Sequence, residues 1–351
     1  MSTSHNILLT GASGYLGGSL LARWKEASLS PHNKLYALVR SQTQADAVRQ
    51  YGAEPLILDL NDVDQVKKGI IDNEISVVFF LIDAFGSATQ RVMIDALSQV
   101  RQNTGKNVHF LHTTGAKAFS SHVGMSPTEP ISDSDARLYE IQKTTIAPEP
   151  NTWFSQIART NVDIIEFAEA KGVMSYVFAP CIVYGVGEGF GNKISIQDVA
   201  VVKAARAAGR MFKVDEGRPV WPVCHIYDNT SLYIQILCRI LEGSDIGHGR
   251  NGFFLASPGS VPWDDIYAAF AKALAKRGVI ADATVETADE VALKKMEQGL
   301  DSGNGSVAIQ LGGGCAFTAA HGKEIGWEPK FPAEHILEVA DEEVELILKH
   351  I

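Results

Sequence analysis

Residues 10–17 read Thr-Gly-Ala-Ser-Gly-Tyr-Leu-Gly, and the glycines at 11, 14 and 17 fall between a short apolar run, 6–10 (NILLT), and a stretch of helical period. A chain that turns from a strand straight into a helix needs a tight turn, which Gly11 allows. Gly14 lets the backbone approach a pyrophosphate, and Gly17 lets the helix lie close against the strand. The amides freed around Ser13, Tyr15 and Leu16, with the positive end of the helix dipole, then face the phosphates. A glycine-rich turn without a ligand is the alternative. Placement at the first strand–helix junction of an alternating chain favours the phosphate reading.

The alternation is the second constraint. Apolar β-rich runs at 6–10, 34–40, 55–60, 76–82, 107–113 and 174–180 are separated by helical stripes, among them Leu16, Leu20 and Trp24, and others near 43–51, 62–71, 87–102 and 153–171. Continuous apolar strands interleaved with amphipathic helices predict an α/β fold, a Rossmann doubly wound parallel sheet. After Gly185 the pattern changes to a glycine-rich loop, a helix near 195–208, a strand near 220–226 and a helix near 229–242. Further helices are expected at 262–278 and 333–349, with a loop over 299–314. The expected organisation is a nucleotide domain over 1–185, with 220–257 returning to it, and a smaller C-terminal substrate-binding lobe from 186–219 and 258–351.

Composition narrows the partners. The 351 residues are 46% hydrophobic and 21% charged, an ordinary globular mixture, and the net charge of -10 is spread without a basic block, which argues against nucleic acid. The N-terminal residues lack the features of a targeting segment and the C-terminus matches no lipidation signal, so a cytoplasmic protein away from membranes is expected. Cys181, Cys224, Cys238 and Cys315 lack ligand spacing and read as small core residues, with neither disulfide nor metal expected.

At the end of the second strand, where an NAD site offers Asp or Glu to the ribose, this chain has Val39-Arg40-Ser41. A guanidinium there pairs with a 2′-phosphate, so NADP is expected over NAD. Asp59, followed by Leu60, closes the third strand and is placed to accept from an adenine amino group; a plain turn aspartate is an equal alternative. Tyr139 and Lys143 stand four apart, on one face of a helix. That spacing also arises by chance, but it follows the fifth strand, whose end carries His112-Thr113-Thr114-Gly115 at the edge where such sheets bind ligands. A neighbouring ammonium lowers a phenol's pKa and makes it a usable acid/base, while a hydroxyl at the strand end holds a substrate oxygen. A surface Tyr and Lys on an ordinary helix is the alternative.

Together, TGxxGxxG at 10–17, YxxxK at 139–143, the Pro180-Cys-Ile-Val-Tyr-Gly185 segment and Gly326-Trp327-Glu-Pro329 resemble the extended short-chain dehydrogenase/reductase family, in its epimerase/dehydratase and reductase-like branch. The resemblance implies Tyr139 as catalytic acid/base, Lys143 as its electrostatic partner and ribose anchor, Pro180 to Ile182 along the nicotinamide, and a lobe that closes over substrate. It also implies a homodimer. Departures stand beside it. The family's hydroxyl pair and Val-Tyr-Gly-like segment are replaced by Thr113-Thr114-Gly115-Ala116-Lys117-Ala118-Phe119. One register puts Gly115 at the catalytic hydroxyl position; a shift of one puts Thr114 there, with Thr113 in reserve. Leu81-Ile82-Asp83-Ala84 replaces the usual Leu-Ala-Ala, and 144–152, with prolines at 148 and 150, reads as an insertion that ends the helix early.

Candidate substrate contacts are Asn192 and Lys193 in the 185–193 loop, and Trp221 with His225; a mobile crossover and core packing are the alternatives. The expected activity is NADP(H)-dependent oxidoreduction at a carbonyl or alcohol of a small organic metabolite, through Tyr139, Lys143 and Thr114. The same site with a retained nicotinamide would serve an epimerase, a dehydratase or a non-redox rearrangement. A non-catalytic dinucleotide sensor is a third use of the fold.

Overall fold

The computed structural model describes residues 4–27, 29–126, 129–145, 153–300 and 306–351. The prolines at 148 and 150 lie outside the described residues, as does most of the expected insertion. In chain order the strands are β1 (Asn6–Leu9), β2 (Lys34–Val39), β3 (Glu54–Ile57), β4 (Ile75–Phe80), β5 (His109–Thr113), β6 (Ile131–Ser132), β7 (Met174–Pro180), β8 (Ile182–Tyr184), β9 (Met211–Lys213), β10 (Val220–His225), β11 (Phe253–Ala256), β12 (Gly259–Pro262), β13 (Val285–Thr287) and β14 (Phe317–Thr318).

A strand with helices on both faces must be apolar on both, and β4 meets that condition: ISVVFF is buried throughout. Seven strands form one parallel sheet in the order β11-β7-β5-β4-β1-β2-β3. Alternation sorts the side chains. Ile7 and Leu9 pack with Leu20, Phe178 and Tyr233 on one face; Leu8 packs with Phe80, Leu97 and Phe110 on the other. Side-chain oxygens of Ser41 and Asp62 accept from the amides of Gln44 and Gln65, capping the helices Gln42–Gln50 and Val63–Asp72.

Strand order reverses between β1 and β4, because the chain moves out through β2 and β3 and returns on the far side of β1. The loops leaving β1 and β4 therefore diverge and open the crevice in which doubly wound sheets bind ligands. The Thr10 hydroxyl accepts from the Leu81 amide at 2.8 Å and ties the roots of these loops together.

Six strands were expected in this sheet; β11 is a seventh. Its four residues give too short a run for periodicity to place, and it is held by a distant carboxylate: Asp133 accepts from the Leu255 amide at 3.0 Å and the His321 amide at 2.8 Å. The run near 220–226 is β10, which pairs with β8 and β12 in a separate three-stranded sheet. The helix that follows, Ile226–Glu242, packs through Leu232, Tyr233 and Ile236 with Ile7, Leu9 and Phe178 of the large sheet, which β11 then joins beside β7. Trp221, Trp263, Tyr267 and Phe270 belong to one hydrophobic cluster with Phe119, Val177 and Leu255, so the C-terminal elements and the large sheet share a core. The helix at Trp263–Lys276 follows Pro262 and is closed by Gly278 at φ 68°, whereas the expected 333–349 helix is divided into His335–Glu338 and Ala340–Leu348. A further helix, Ser306–Leu311, occupies part of the stretch expected as a loop. No helix among the described residues is long and apolar enough to cross a membrane.

Candidate active site

The glycine motif opens into the crevice. Gly11 adopts φ 73°, and Gly14, extended at φ -81° and ψ 173°, starts the helix Tyr15–Arg23. No side chain caps this start and no acid stands in its first turn, so its leading amides and dipole are left for an anion. Close approach explains the third glycine: a Cβ on Gly17 would lie 2.3 Å from the Gly11 carbonyl oxygen. Neighbouring side chains are committed elsewhere. The Ser13 hydroxyl accepts from Gln44 at 3.3 Å, the Tyr15 hydroxyl donates to the Gly185 carbonyl at 2.6 Å, and Leu16 packs partly buried beside Tyr15. These residues present backbone, not side chain, to a ligand.

Arg40 is exposed just past buried Val39, and its amide donates to Gln44 at 2.9 Å. Asp59 uses one carboxylate oxygen to accept from the Asn61 amide at 2.9 Å and its side chain at 3.0 Å, closing the turn after β3, while Leu60 packs against the core. Pro180 ends β7 partly exposed, but the Ile182 side chain is buried, so only its backbone can line a cavity.

The two threonines at the end of β5 divide their roles. Thr113 shares a 2.8 Å hydrogen bond with the Tyr233 hydroxyl, in a buried pair where Tyr233 stacks on Phe178. Thr114 points the other way along the alternating strand, and its hydroxyl oxygen is buried without a hydrogen-bond partner. Gly115 follows in extended backbone, and a Cβ there would meet no atom within 4 Å. The Thr114 hydroxyl is thus a buried, unpaired polar group at the end of β5, the edge at which doubly wound sheets bind ligands. On the same side of the strand as Thr114, His112 is fully buried; desolvation lowers its pKa to about 3 and keeps the ring neutral.

Tyr139 and Lys143 do share a helix face, on Leu138–Thr145, but their partner is Glu166. The Tyr139 hydroxyl donates to Glu166 at 2.7 Å, Lys143 pairs with it at 2.6 Å, and Lys143 stands 3.4 Å from the phenol. Burial and then the Glu166 carboxylate raise the phenol's pKa, the reverse of the lowering expected from the lysine. The position also differs. The crossover helix that enters β7 is Trp153–Lys171, whose leading half is tied to the loop after β4 by Thr160 donating to the Phe85 carbonyl at 2.8 Å. Glu166 lies about 20 Å along this helix from its start, toward the opposite edge of the sheet. There Arg250, in the turn before β11, sits 4.6 Å over the Tyr139 ring and pairs with Glu169. Trp153–Lys171 itself contains no tyrosine, and its one lysine is Lys171, at the far end. The phenol and ammonium thus form an ionic cluster on the flank of the domain because their short helix precedes the crossover instead of forming its first turns.

The substrate candidates are also redistributed. Asn192 exchanges hydrogen bonds with Ile194, and Lys193 donates to Gly189, so both side chains fold into their own loop. That loop lies on the glycine motif: the Asn192 amide donates to the Ser13 carbonyl at 3.0 Å and the Glu188 amide to the Ser19 hydroxyl at 3.2 Å. Trp221 is 1% exposed, with its ring 5.8 Å from Trp263, and belongs to the shared core. His225 accepts from the Tyr227 amide at 3.2 Å; burial takes its pKa to about 4.

Lys117, unassigned by motif reasoning, lies in the 3-10 turn Ala116–Phe119 directly after Gly115, where burial lowers its ammonium pKa to about 8. Its sequence signal is a single charge within Gly-Ala-Lys-Ala-Phe immediately after a strand. Asp198 and Glu343 form a second unforeseen feature, a buried carboxyl pair below the 185–193 loop. Burial raises both pKa values and the Glu343 charge raises that of Asp198 further, whereas hydrogen bonds from Asp198 and from the Gly185 amide, at 2.9 Å, act to lower that of Glu343.

Similarity to known proteins accords with this arrangement. An uncharacterized protein of Schizosaccharomyces pombe is 26% identical over 243 residues, 68% of this chain and 72% of that protein. The UDP-glucose 4-epimerase of Thermotoga maritima, solved with UDP-glucose, superposes with a TM-score of 0.60 at 16% identity, covering 98% of this chain and 99% of the other. Vestitone reductase from alfalfa gives a TM-score of 0.58 at 14% identity, covering 98% of each chain. Such distant structures establish the fold alone. The family match spans residues 7–247, from β1 past the helix Ile226–Glu242, and with the glycine motif at the switch point of a seven-stranded parallel sheet it establishes that the chain belongs to the NAD dependent epimerase/dehydratase family.

Proposed function

We propose that the protein is an NADP(H)-dependent oxidoreductase that interconverts a carbonyl and an alcohol on a small organic metabolite, with the Thr114 hydroxyl holding the reacting oxygen. The observation that carries this reading is that hydroxyl, buried and unpartnered at the end of β5. A buried polar group left unsatisfied costs about 1–3 kcal/mol, which a substrate oxygen bound there offsets. A homodimer remains part of the proposal on family resemblance.

The residues present fit a dinucleotide. The uncapped helix start at Gly14 would hold its pyrophosphate, exposed Arg40 a 2′-phosphate, and the turn at Asp59 and Leu60 its adenine. When bound, the cofactor supplies a hydride donor or acceptor. The chain's own residues anchor phosphates, orient the substrate oxygen and limit water around it.

Titration of the protein with NADPH and with NADH, followed by nicotinamide fluorescence and repeated on Arg40→Ala, tests the cofactor side. Tighter NADPH binding that collapses by about tenfold or more in the variant supports it, as expected for loss of a charge-assisted pair. If neither dinucleotide binds, the redox reading fails. Tyr139→Phe tests the proton donor. Its distance from the binding edge predicts retained turnover, whereas lost turnover with intact NADPH binding would return the role to Tyr139. A tightly retained nicotinamide with substrate turnover but no net change in its absorbance would favour epimerase, dehydratase or rearrangement chemistry.

A further inference from the structure

One side chain ties the strand end that carries Arg40 to the glycine motif. Gln44, in the first turn of the helix Gln42–Gln50, accepts from the Arg40 amide at 2.9 Å through Oε1 and donates from Nε2 to the Ser13 hydroxyl at 3.3 Å. Ser13 is fixed from its other side as well, where its carbonyl accepts from the Asn192 amide at 3.0 Å. Gln44 thus spans the gap between the end of β2 and the loop after β1, the two segments that flank the adenosine ribose in a doubly wound sheet.

The direction of these bonds follows from what each partner can donate. A backbone N–H only donates, so the Arg40 amide fixes the Gln44 carbonyl oxygen toward itself and turns the NH2 toward Ser13. Ser13 then receives a proton at its oxygen and keeps its own O–H to give. Ser41, which accepts from the Gln44 backbone amide at 3.3 Å, is in the same state. Acceptors are therefore spent inside the relay, while the hydroxyl protons of Ser13 and Ser41 and the exposed Arg40 guanidinium remain as donors. The first turn of Gln42–Gln50 carries no acid, and Asp46, beyond it, is engaged by Gln42 at 2.9 Å and Arg49 at 2.6 Å. A ribose 2′-hydroxyl is held best by an acceptor that takes its proton, whereas a 2′-phosphate offers acceptors and calls for donors.

We propose that Gln44 is a specificity-determining residue for the cofactor: by holding the Ser13 hydroxyl as a donor, it suits this edge to a 2′-phosphate and disfavours a bare 2′-hydroxyl. This rests on the NADP(H) reading above and extends it from the charge of Arg40 to the polarity of the hydrogen bonds beside it. Gln44→Met removes the relay without adding charge. Gln44→Glu has the same shape and keeps the acceptor for the Arg40 amide, but an oxygen replaces the NH2. The Ser13 proton then turns to that carboxylate, the relay reverses, and the edge gains the acceptor that a ribose hydroxyl needs.

Fluorescence titration with NADPH and with NADH tests this on the full-length protein, in the wild type, Arg40→Ala, Gln44→Met, Gln44→Glu, Ser13→Ala and the Ser13→Ala, Gln44→Met double variant. Wild type is expected to prefer NADPH. Gln44→Met should weaken NADPH about tenfold, with NADH affinity within about twofold of wild type and Tm within about 1 °C, because the residue lies at the surface. Gln44→Glu should lose about 100-fold or more in NADPH affinity, from reversed polarity and like charge, and bind NADH at least as well as wild type. Ser13→Ala should cost NADPH binding far less in the Gln44→Met background than in wild type, since Gln44 acts through that hydroxyl; independent, multiplying losses would overturn this. A Gln44→Met variant that keeps the wild-type preference, beside an Arg40→Ala variant that loses it, would overturn the role of Gln44 and leave the NADP(H) reading standing. Equal weakening of both dinucleotides in Gln44→Met would likewise reduce the residue to a structural part. Wild type without a preference for NADPH would overturn the NADP(H) reading, and the role of Gln44 with it.

Discussion

Replacing Gly191 with alanine tests whether the 185–193 loop sets the shape of the dinucleotide cradle. The added Cβ would lie 2.1 Å from the Ser13 carbonyl oxygen and 2.9 Å from its carbon, both backbone atoms. Ordinary contact requires about 1 Å or more of displacement, either of the loop or of the glycine motif, and cores resist such overpacking with about 1–3 kcal/mol. Displacement also breaks the 3.0 Å bond from the Asn192 amide to the same Ser13 oxygen, worth about 0.5–1.5 kcal/mol. A total near 2–4 kcal/mol divides between folding and binding. If half reaches the cradle, NADPH affinity falls about 5–30-fold, and the remainder lowers Tm by about 1–3 °C. Gly115→Ala is the matched control, since its backbone is extended at φ -157° and its Cβ meets no atom within 4 Å; it should leave Tm unchanged. Calorimetry and fluorescence titration read the two shares. A Gly191→Ala variant with unchanged Tm and unchanged NADPH affinity would refute the idea that this contact is stiff.

Other outcomes follow from the same geometry. Thr114→Val removes a buried hydroxyl with no partner, so Tm should hold or rise while turnover of an identified carbonyl substrate falls about 100-fold; a variant with wild-type kcat would remove Thr114 from the chemistry. Thr113→Val strands the Tyr233 hydroxyl in the core and should cost about 1–3 kcal/mol in denaturant unfolding, with NADPH affinity unaltered. Burial and then the Glu343 charge raise the Asp198 pKa, so the pair's stabilisation is complete below the unfolded carboxyl value and is lost as pH rises through the raised folded value. Asp198→Asn should therefore gain Tm relative to wild type at alkaline pH and converge with it in acid, and a difference independent of pH would count against the pair. Glu166→Gln removes the acceptor charge from Tyr139 and Lys143, so the phenol should titrate lower in ultraviolet difference spectra, with no shift arguing that burial alone sets it.

Local sequence carried most of the fold. Glycines at 11, 14 and 17, apolar runs such as 76–82, and stripes such as 153–171 report the conformation of a few neighbouring residues, where steric rules and side-chain periodicity decide the outcome. The strand–turn–helix at the glycine motif was legible for that reason, whereas the difference between Thr113, paired with Tyr233, and unpartnered Thr114 is a property of the tertiary structure. Spacing also put Tyr139 and Lys143 correctly on one helix face, but it could not say which helix would become the crossover into β7. That depended on packing between distant segments: Glu166 drew the pair to the flank and the aromatic core enclosed Trp221, while Asn192 and Lys193 bond within their own loop. Sequence determined the elements and the side chains sharing each face, because those are short-range properties. The partner for each face, and thus which polar groups reach the ligand edge or are neutralised away from it, was decided only by tertiary structure, because burial and charge pairing depend on residues far apart in the chain.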